Sequence, residues 1–362
     1  MTGTPSTEEM PDELSPRRLR RRLIQLAAVA AALAFLVLVG PGLATLRTRL
    51  SHASAEWLAA GVALEVLSAL SYVVIFRAVF CPRMSWRMSY QIGMAEQGAN
   101  SVLTVSGAGG LALGAWALRR GGMNTEYIGR RTVAFFFLTS MANVGGVILF
   151  AALYAVGILS HDRNPALTYG FGAAAIVATI IVLALPALMT GKVPEPPAMR
   201  RSGRVASAAR FIRHSVDQGV RDGTSLLRRG SPGVLIGSIG TTAFDVALLG
   251  ACFRAFGFSP ALGVLVLGYL IGQLGGNVPV PGGIGGLDGG LIGTFALYHA
   301  PLATTTAAVL AYHAITLWIP ASLGSVAFVQ LRNTLRREAE PAAICMPLAE
   351  PIETVRLPVT AR

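Results

Sequence analysis

Apolar residues in this chain fall in long runs separated by short basic stretches. Six runs, roughly 23–43, 57–80, 131–157, 166–190, 232–256 and 303–329, each hold the ~20 mostly apolar residues that a membrane-crossing helix needs. Two more, 88–118 and 261–300, are comparably apolar but are interrupted by glycine. The pattern predicts an all-α polytopic membrane protein with six full spans and two broken hairpins, re-entrant or discontinuous. The first run follows Arg17-Arg18-Leu19-Arg20-Arg21-Arg22 as a signal peptide would. It is too long for one and lacks a convincing small-x-small cleavage site, so it reads as a first membrane helix.

The interruptions repeat. Residues 107–114 read Gly-Ala-Gly-Gly-Leu-Ala-Leu-Gly and residues 283–290 read Gly-Ile-Gly-Gly-Leu-Asp-Gly-Gly. Upstream, Gly98-Ala99-Asn100 answers Gly275-Gly276-Asn277, and Phe76-Arg77-Ala78 answers Phe253-Arg254-Ala255. An ordered series at nearly constant separation marks an internal repeat, here about 57–157 and 232–329. The alternative for the glycines is close helix packing through small residues. That alternative is weaker for the second copy, where Pro279, Pro281 and clustered glycine cannot continue a helix.

Charge then orients the spans. The arginines at 17–22, Arg83, Arg87, Arg119, Arg120, Arg130, Arg131, Arg332, Arg336 and Arg337 all fall on one side if both broken segments return to the side they enter. Loop 191–231 joins them, with Lys192 and eight arginines against three acids. The positive-inside rule makes that side cytoplasmic, with both termini. Span 57–80 then runs inward and its counterpart 232–256 outward, so the repeats are inverted and their broken segments enter from opposite faces. Such repeats place a ligand site near mid-membrane and are expected to bring the equivalent breaks together. Within the basic loop, Val205, Ala209, Ile212, Val216 and Val220 fall at helical spacing. This suggests a helix on the inner membrane surface; a solvated charged linker is the alternative. Residues 1–16 and 336–362 read as disordered tails around one domain, 17–335.

Composition narrows the class. Of 362 residues 53% are hydrophobic and 13% charged, with a mean hydropathy of +0.58. Soluble domains carry roughly 25% charged residues. The net charge of +12 therefore speaks for anionic headgroups rather than nucleic acid. Three widely spaced cysteines suggest neither a disulfide framework nor a zinc site and read as packing or tail residues. No nucleophile, histidine–carboxylate ligand set or nucleotide fingerprint can be assembled, so neither an enzyme nor a cofactor is expected.

Polar side chains at membrane depth are functional candidates. Asp288 within the second glycine cluster can accept a hydrogen bond, pair with Arg254, carry a proton, or simply cap a helix. Arg77 and Arg254, at equivalent positions, can receive phosphate or snorkel to the interface. Asn100 and Asn277 can bind a headgroup or satisfy broken backbone. His313 can titrate or remain a neutral, hydrogen-bonded histidine. Gly283 and Gly285 let a ligand approach the backbone closely. Asp245, Glu65 and Glu96 complete the intramembrane polar set.

The run Asn277-Val278-Pro279-Val280-Pro281-Gly282-Gly283-Ile284-Gly285-Gly286-Leu287-Asp288 is followed by Ala311-Tyr312-His313-Ala314-Ile315-Thr316-Leu317-Trp318-Ile319-Pro320 and Gly324. Together they resemble the lysylphosphatidylglycerol synthase transmembrane region. This is the flippase-like family related to the membrane half of multiple peptide resistance factors, and the resemblance covers roughly 20–335. Asp288 fills an acidic place where that family usually has Glu, and His313 stands where Arg is usual. Val105–Gly110 lacks the Pro, Arg and Glu common in the family's first-repeat motif. The resemblance implies movement of an anionic phospholipid or polyprenyl-linked lipid across the cytoplasmic membrane. The alternative is a non-transporting subunit that anchors or presents lipid to a partner lipid-modifying enzyme. Nothing resembles the soluble aminoacyl-transferase domain, so lysyl transfer is not expected.

Overall fold

The computed structural model describes residues 52–102, 108–159, 165–188, 204–277 and 286–337. The predicted first span 23–43, residues 1–16 and 338–362 of the tails, and Gly283 and Gly285 lie outside the described residues, as does the side chain of Asn277; residues 336–337, read as tail, end the last helix. Every regular element among the described residues is a helix. In chain order these are α1 (Ala55–Phe80), α2 (Trp86–Val102), α3 (Ala108–Arg120), α4 (Thr125–Ala155), α5 (Pro165–Leu188) and α6 (Arg204–Arg228). They continue with α7 (Pro232–Ala255), α8 (Leu262–Gly272), a 3-10 turn (Gln273–Asn277), α9 (Gly286–Leu297) and α10 (Leu302–Arg337). Four of them, α1, α4, α7 and α10, are long and apolar enough to cross a membrane. The two glycine-broken segments become helical hairpins, α2/α3 and α8/α9. At 11–17 residues each, their helices are shorter than a full crossing.

α1 and α7 form the most extensive helix contact, and they run antiparallel. The Ser54 N–H donates to the Ala255 carbonyl at 2.9 Å, Gly61 faces Leu248, Ser68 reaches the Thr241 carbonyl, and Gly233 meets Ala78. Serine and glycine along the seam let the backbones approach, as Gly237 does against the backbone of Ile75.

The remaining contacts mirror one another across this pair. α2 packs on α10, while α8 packs on α4; α1 touches both α4 and α10, and so does α7. Two apolar cores result. One joins the C-terminal half of α1 to α2, α3, the start of α4 and the end of α10. The other joins the C-terminal half of α7 to α8, α9, the end of α4 and the start of α10. Because α1 and α7 are antiparallel, the two cores sit at opposite ends of the pair. The halves that matched in sequence are thus equivalent in packing, and opposed in direction.

Among the described residues neither hairpin packs extensively on the other, and each docks on the last long helix of the opposite half. The breaks themselves, 103–107 and 278–285, whose adjacency was expected, lie outside the described residues. One expectation is revised: Cys81, buried in the first core, is also disulfide-bonded, while Cys252 is free and buried. In the basic loop a helix does form. α6 runs beside the first half of α4, with Phe211 and Ser215 against Gly129, Gly219 against Val133 and Gly223 against Phe137. Charge pairs fasten it: His214 Nε2 lies 3.0 Å from Glu126 Oε1, and Asp222 faces Arg130 and Arg131.

Candidate functional site

The second hairpin carries the clearest polar constellation. α9 begins at Gly286, so Asp288 lies in its first turn, where unsatisfied N–H groups and the helix dipole favour a carboxylate. Across from it, mid-α10, the His313 Nδ1 lies 2.9 Å from Asp288 Oδ1. Both side chains are largely buried, with about a tenth of each exposed (13% and 11%). The carboxylate can only accept, so Nδ1 carries the proton in this pair. That leaves Nε2, which is buried and has no hydrogen-bond partner among the described residues. As neutral imidazole this nitrogen accepts; as imidazolium it donates.

Three turns of local chemistry set His313 in place. The Thr316 hydroxyl folds back onto the Tyr312 and His313 carbonyls at 3.1 and 3.2 Å. One turn on, Pro320 interrupts the α10 ladder, and its ring removes the bond that the Thr316 carbonyl would receive. On the other side, Gly272 and Gly275 allow the hairpin backbone to press against Leu291, Gly286 and Gly290. A Cβ at either glycine would collide with α9 backbone, so these residues hold the start of α9 at its position.

The other sequence candidates stand elsewhere. Arg77 is used at a junction: its Nε donates to the Met84 carbonyl at 2.7 Å, and its guanidinium lies 4.4 Å above the Trp86 ring. Arg254, at the opposite end of the α1–α7 pair, lies 4.8 Å above the ring of Trp57. Both tryptophans are exposed, as interfacial aromatics are. Neither arginine is placed beside Asp288. Asn100 serves its own hairpin, accepting the Gly110 N–H at 2.9 Å.

A model of the lysylphosphatidylglycerol synthase TM region matches residues 22–324, spanning both halves and both hairpins. The chain belongs to this family. It is a multi-pass membrane protein of a lipid-related kind, in which the Asp288–His313 pair ties the second hairpin to α10. No curated protein matches it.

Sequence reasoning missed how the polar residues are shared out in this family member. Glu65 and Asp245 were visible as intramembrane acids, but their partners were not. The Tyr269 hydroxyl donates to Asp245 Oδ2 at 3.0 Å, and the Tyr269 and Tyr312 rings meet edge-to-face at 6.2 Å. Glu65 faces Asp245 across the α1–α7 seam. Glu96 is buried against Tyr72 and Gly114. The available signal was the antiparallel register of the repeats, which sets 65 opposite 245 once α1 and α7 are paired.

Proposed function

We propose that this protein flips an anionic phospholipid or polyprenyl-linked lipid across the cytoplasmic membrane without covalent chemistry. In this reading six helices span the bilayer, both termini are cytoplasmic, and the hairpins are re-entrant from opposite faces of an inverted repeat. The observation that carries it is the Asp288–His313 pair with its unpartnered Nε2, held by glycine-broken backbone inside a lipid-related membrane domain. Asp288 fixes the ring; protonated His313 then offers Nε2–H to a headgroup phosphate. The ion pair itself is neutral, which keeps the cost of charge at membrane depth low until the headgroup arrives. Acyl or prenyl tails stay in the bilayer while the headgroup passes along the hairpin.

The test is purified protein in liposomes that carry a fluorescent anionic lipid, with a membrane-impermeant quencher added outside. Translocation makes nearly all of the label quenchable in time. Quenching that stops at the outer-leaflet fraction refutes translocation and leaves an anchoring or lipid-presenting subunit as the reading.

A further inference from the structure

Behind the Asp288–His313 pair lies a second cluster that headgroup binding does not use. Glu65 on α1 and Asp245 on α7 face each other in the middle of their helices, between the Gly61–Leu248 and Ser68–Thr241 contacts of the seam. Glu65 is 6% exposed, and its Oε2 is buried with no hydrogen-bond partner. Asp245 receives the Tyr269 hydroxyl and is also faced by Ser68. The groups around the two acids are accounted for element by element. α8 contributes Tyr269, α10 contributes Tyr312, α7 adds Cys252 near Tyr312, and α4 contributes Asn143, which is bonded to Thr242. On α2, Glu96 faces Tyr72 instead, and His313 is turned to Asp288. Among the described residues no arginine, lysine or histidine faces the two carboxyls.

Two carboxylates in apolar surroundings with no cation cannot both keep their charge; one proton shared between them removes the repulsion and half of the desolvation cost. Hydrogen bonding decides where it sits. Asp245 has donors to stabilise an anion, whereas the bare Oε2 of Glu65 has none. We infer that the Glu65–Asp245 pair is a proton-binding site, with the proton on Glu65 at rest, that couples lipid movement to the transmembrane pH gradient. The coupling half of this inference rests on the translocation reading above.

The linkage is mechanical. Tyr269 belongs to the second hairpin, while Asp245 belongs to the α1–α7 pair. Displacing the hairpin withdraws the hydroxyl from Asp245, which then competes for the proton; restoring it sends the proton back to Glu65. Uptake on one face and release on the other follow if each hairpin position opens the pair to a different side.

Two measurements test this. Infrared spectra of the protein in liposomes at neutral pH, wild type minus Glu65→Gln, are expected to contain the C=O stretch of a protonated carboxyl. A difference spectrum without that band overturns the proton site. In the liposome assay a gradient of about one pH unit is expected to drive a lipid asymmetry approaching ~10-fold for one proton per lipid. Glu65→Gln loses this response. Should that variant fail to fold, Asp245→Asn, which keeps the size and the Tyr269 contact, carries the gradient test, and Glu65→Asp, which shifts the carboxyl band, carries the infrared one. Wild-type lipid movement that ignores the gradient overturns the coupling but leaves translocation standing. No lipid movement under any condition overturns translocation, and the infrared band then still decides the proton site.

Discussion

The two hairpins occupy equivalent places yet are built for different ends. The first is closed on itself and its neighbour. Asn100 captures the Gly110 N–H, Glu96 is buried under Tyr72 and Gly114, and Gly98 lies directly on the α10 backbone at Pro320 and Gly324. In the second, glycine brings the backbone of α8 and its 3-10 turn onto α9, and the polar side chain at the break, Asp288, points to another helix. In the first hairpin the polar groups at the break turn to the hairpin itself and to α1. The second holds, through Asp288, an α10 imidazole whose Nε2 is open. Equivalent architecture thus separates a break turned onto its own neighbours from one that presents a donor or acceptor to a ligand.

The largest effect is expected where the first hairpin docks. A Cβ at Gly98 would lie 2.7 Å from the Gly324 Cα and 2.9 Å from the Pro320 carbonyl oxygen. Backbone cannot step aside as a side-chain tip does. Gly98→Val should therefore cost about 3 kcal/mol or more and abolish a monodisperse folded protein in detergent. Gly293→Ala in α9 is the contrast, since nothing lies within 4 Å of its added Cβ. That change should raise stability by about 0.5–1 kcal/mol, read as a higher midpoint of thermal unfolding. Equal tolerance at both positions would dissolve the distinction between docked and open glycines.

Next comes the pair that separates the hairpins by function. Asn caps a helix start about as well as Asp, so Asp288→Asn should unfold near the wild-type temperature. Without the charge that orients and pairs with protonated His313, lipid movement should fall by about 100-fold, equivalent to ~2.7 kcal/mol. Glu96→Gln, in the closed hairpin, should leave movement within about twofold. If Glu96→Gln is the more damaging to transport, the roles assigned to the two hairpins are reversed.

Much of this arrangement was legible in sequence. The apolar runs 57–80, 131–157, 232–256 and 303–329 became the four long apolar helices α1, α4, α7 and α10, and run 166–190 became the helix α5, because sustained apolar runs leave a chain few alternatives in lipid. The repeat was legible for a similar reason: Phe-Arg-Ala and Gly-x-Asn recur in order, and α1 and α7 do pair. Pairing of side chains was not. That Asp288 would meet His313 rather than Arg254 depends on the rotation of α10 about its axis, and hydropathy carries no such information for a helix that is apolar nearly all round. Adjacency of the breaks was inferred from symmetry alone. The symmetry holds in the contacts, where each hairpin packs on the last long helix of the opposite half, while the breaks themselves lie outside the described residues.

A smaller effect sharpens the account of the closed hairpin. Asn100→Ala removes the acceptor of the Gly110 N–H beside bulk that cannot rearrange to replace it. The expected cost is about 1–2 kcal/mol of stability, with no change in which lipid is moved. Hydrogen exchange at the Gly110 amide should quicken in the variant. An unchanged exchange rate would mean that Asn100 contributes nothing to closing the break.

The smallest effect concerns the arginines that mark the two ends of the molecule. If Arg254 held a phosphate during transport, Arg254→Gln would be as damaging as Asp288→Asn. Its guanidinium instead lies over Trp57, an exposed ring on the other half's first helix, near the level where the chain turns from α7 into α8. An exposed cation–π contact contributes about 0.5–1 kcal/mol, and the glutamine variant should lose that much stability while moving lipid at the wild-type rate. Arg77 is less replaceable, since it also holds the Met84 carbonyl and so joins α1 to its hairpin. The equivalent arginines should therefore differ in stability but agree in sparing transport. Loss of lipid movement in Arg254→Gln at unchanged stability would move the anion site from the hairpin break to the end of the α1–α7 pair.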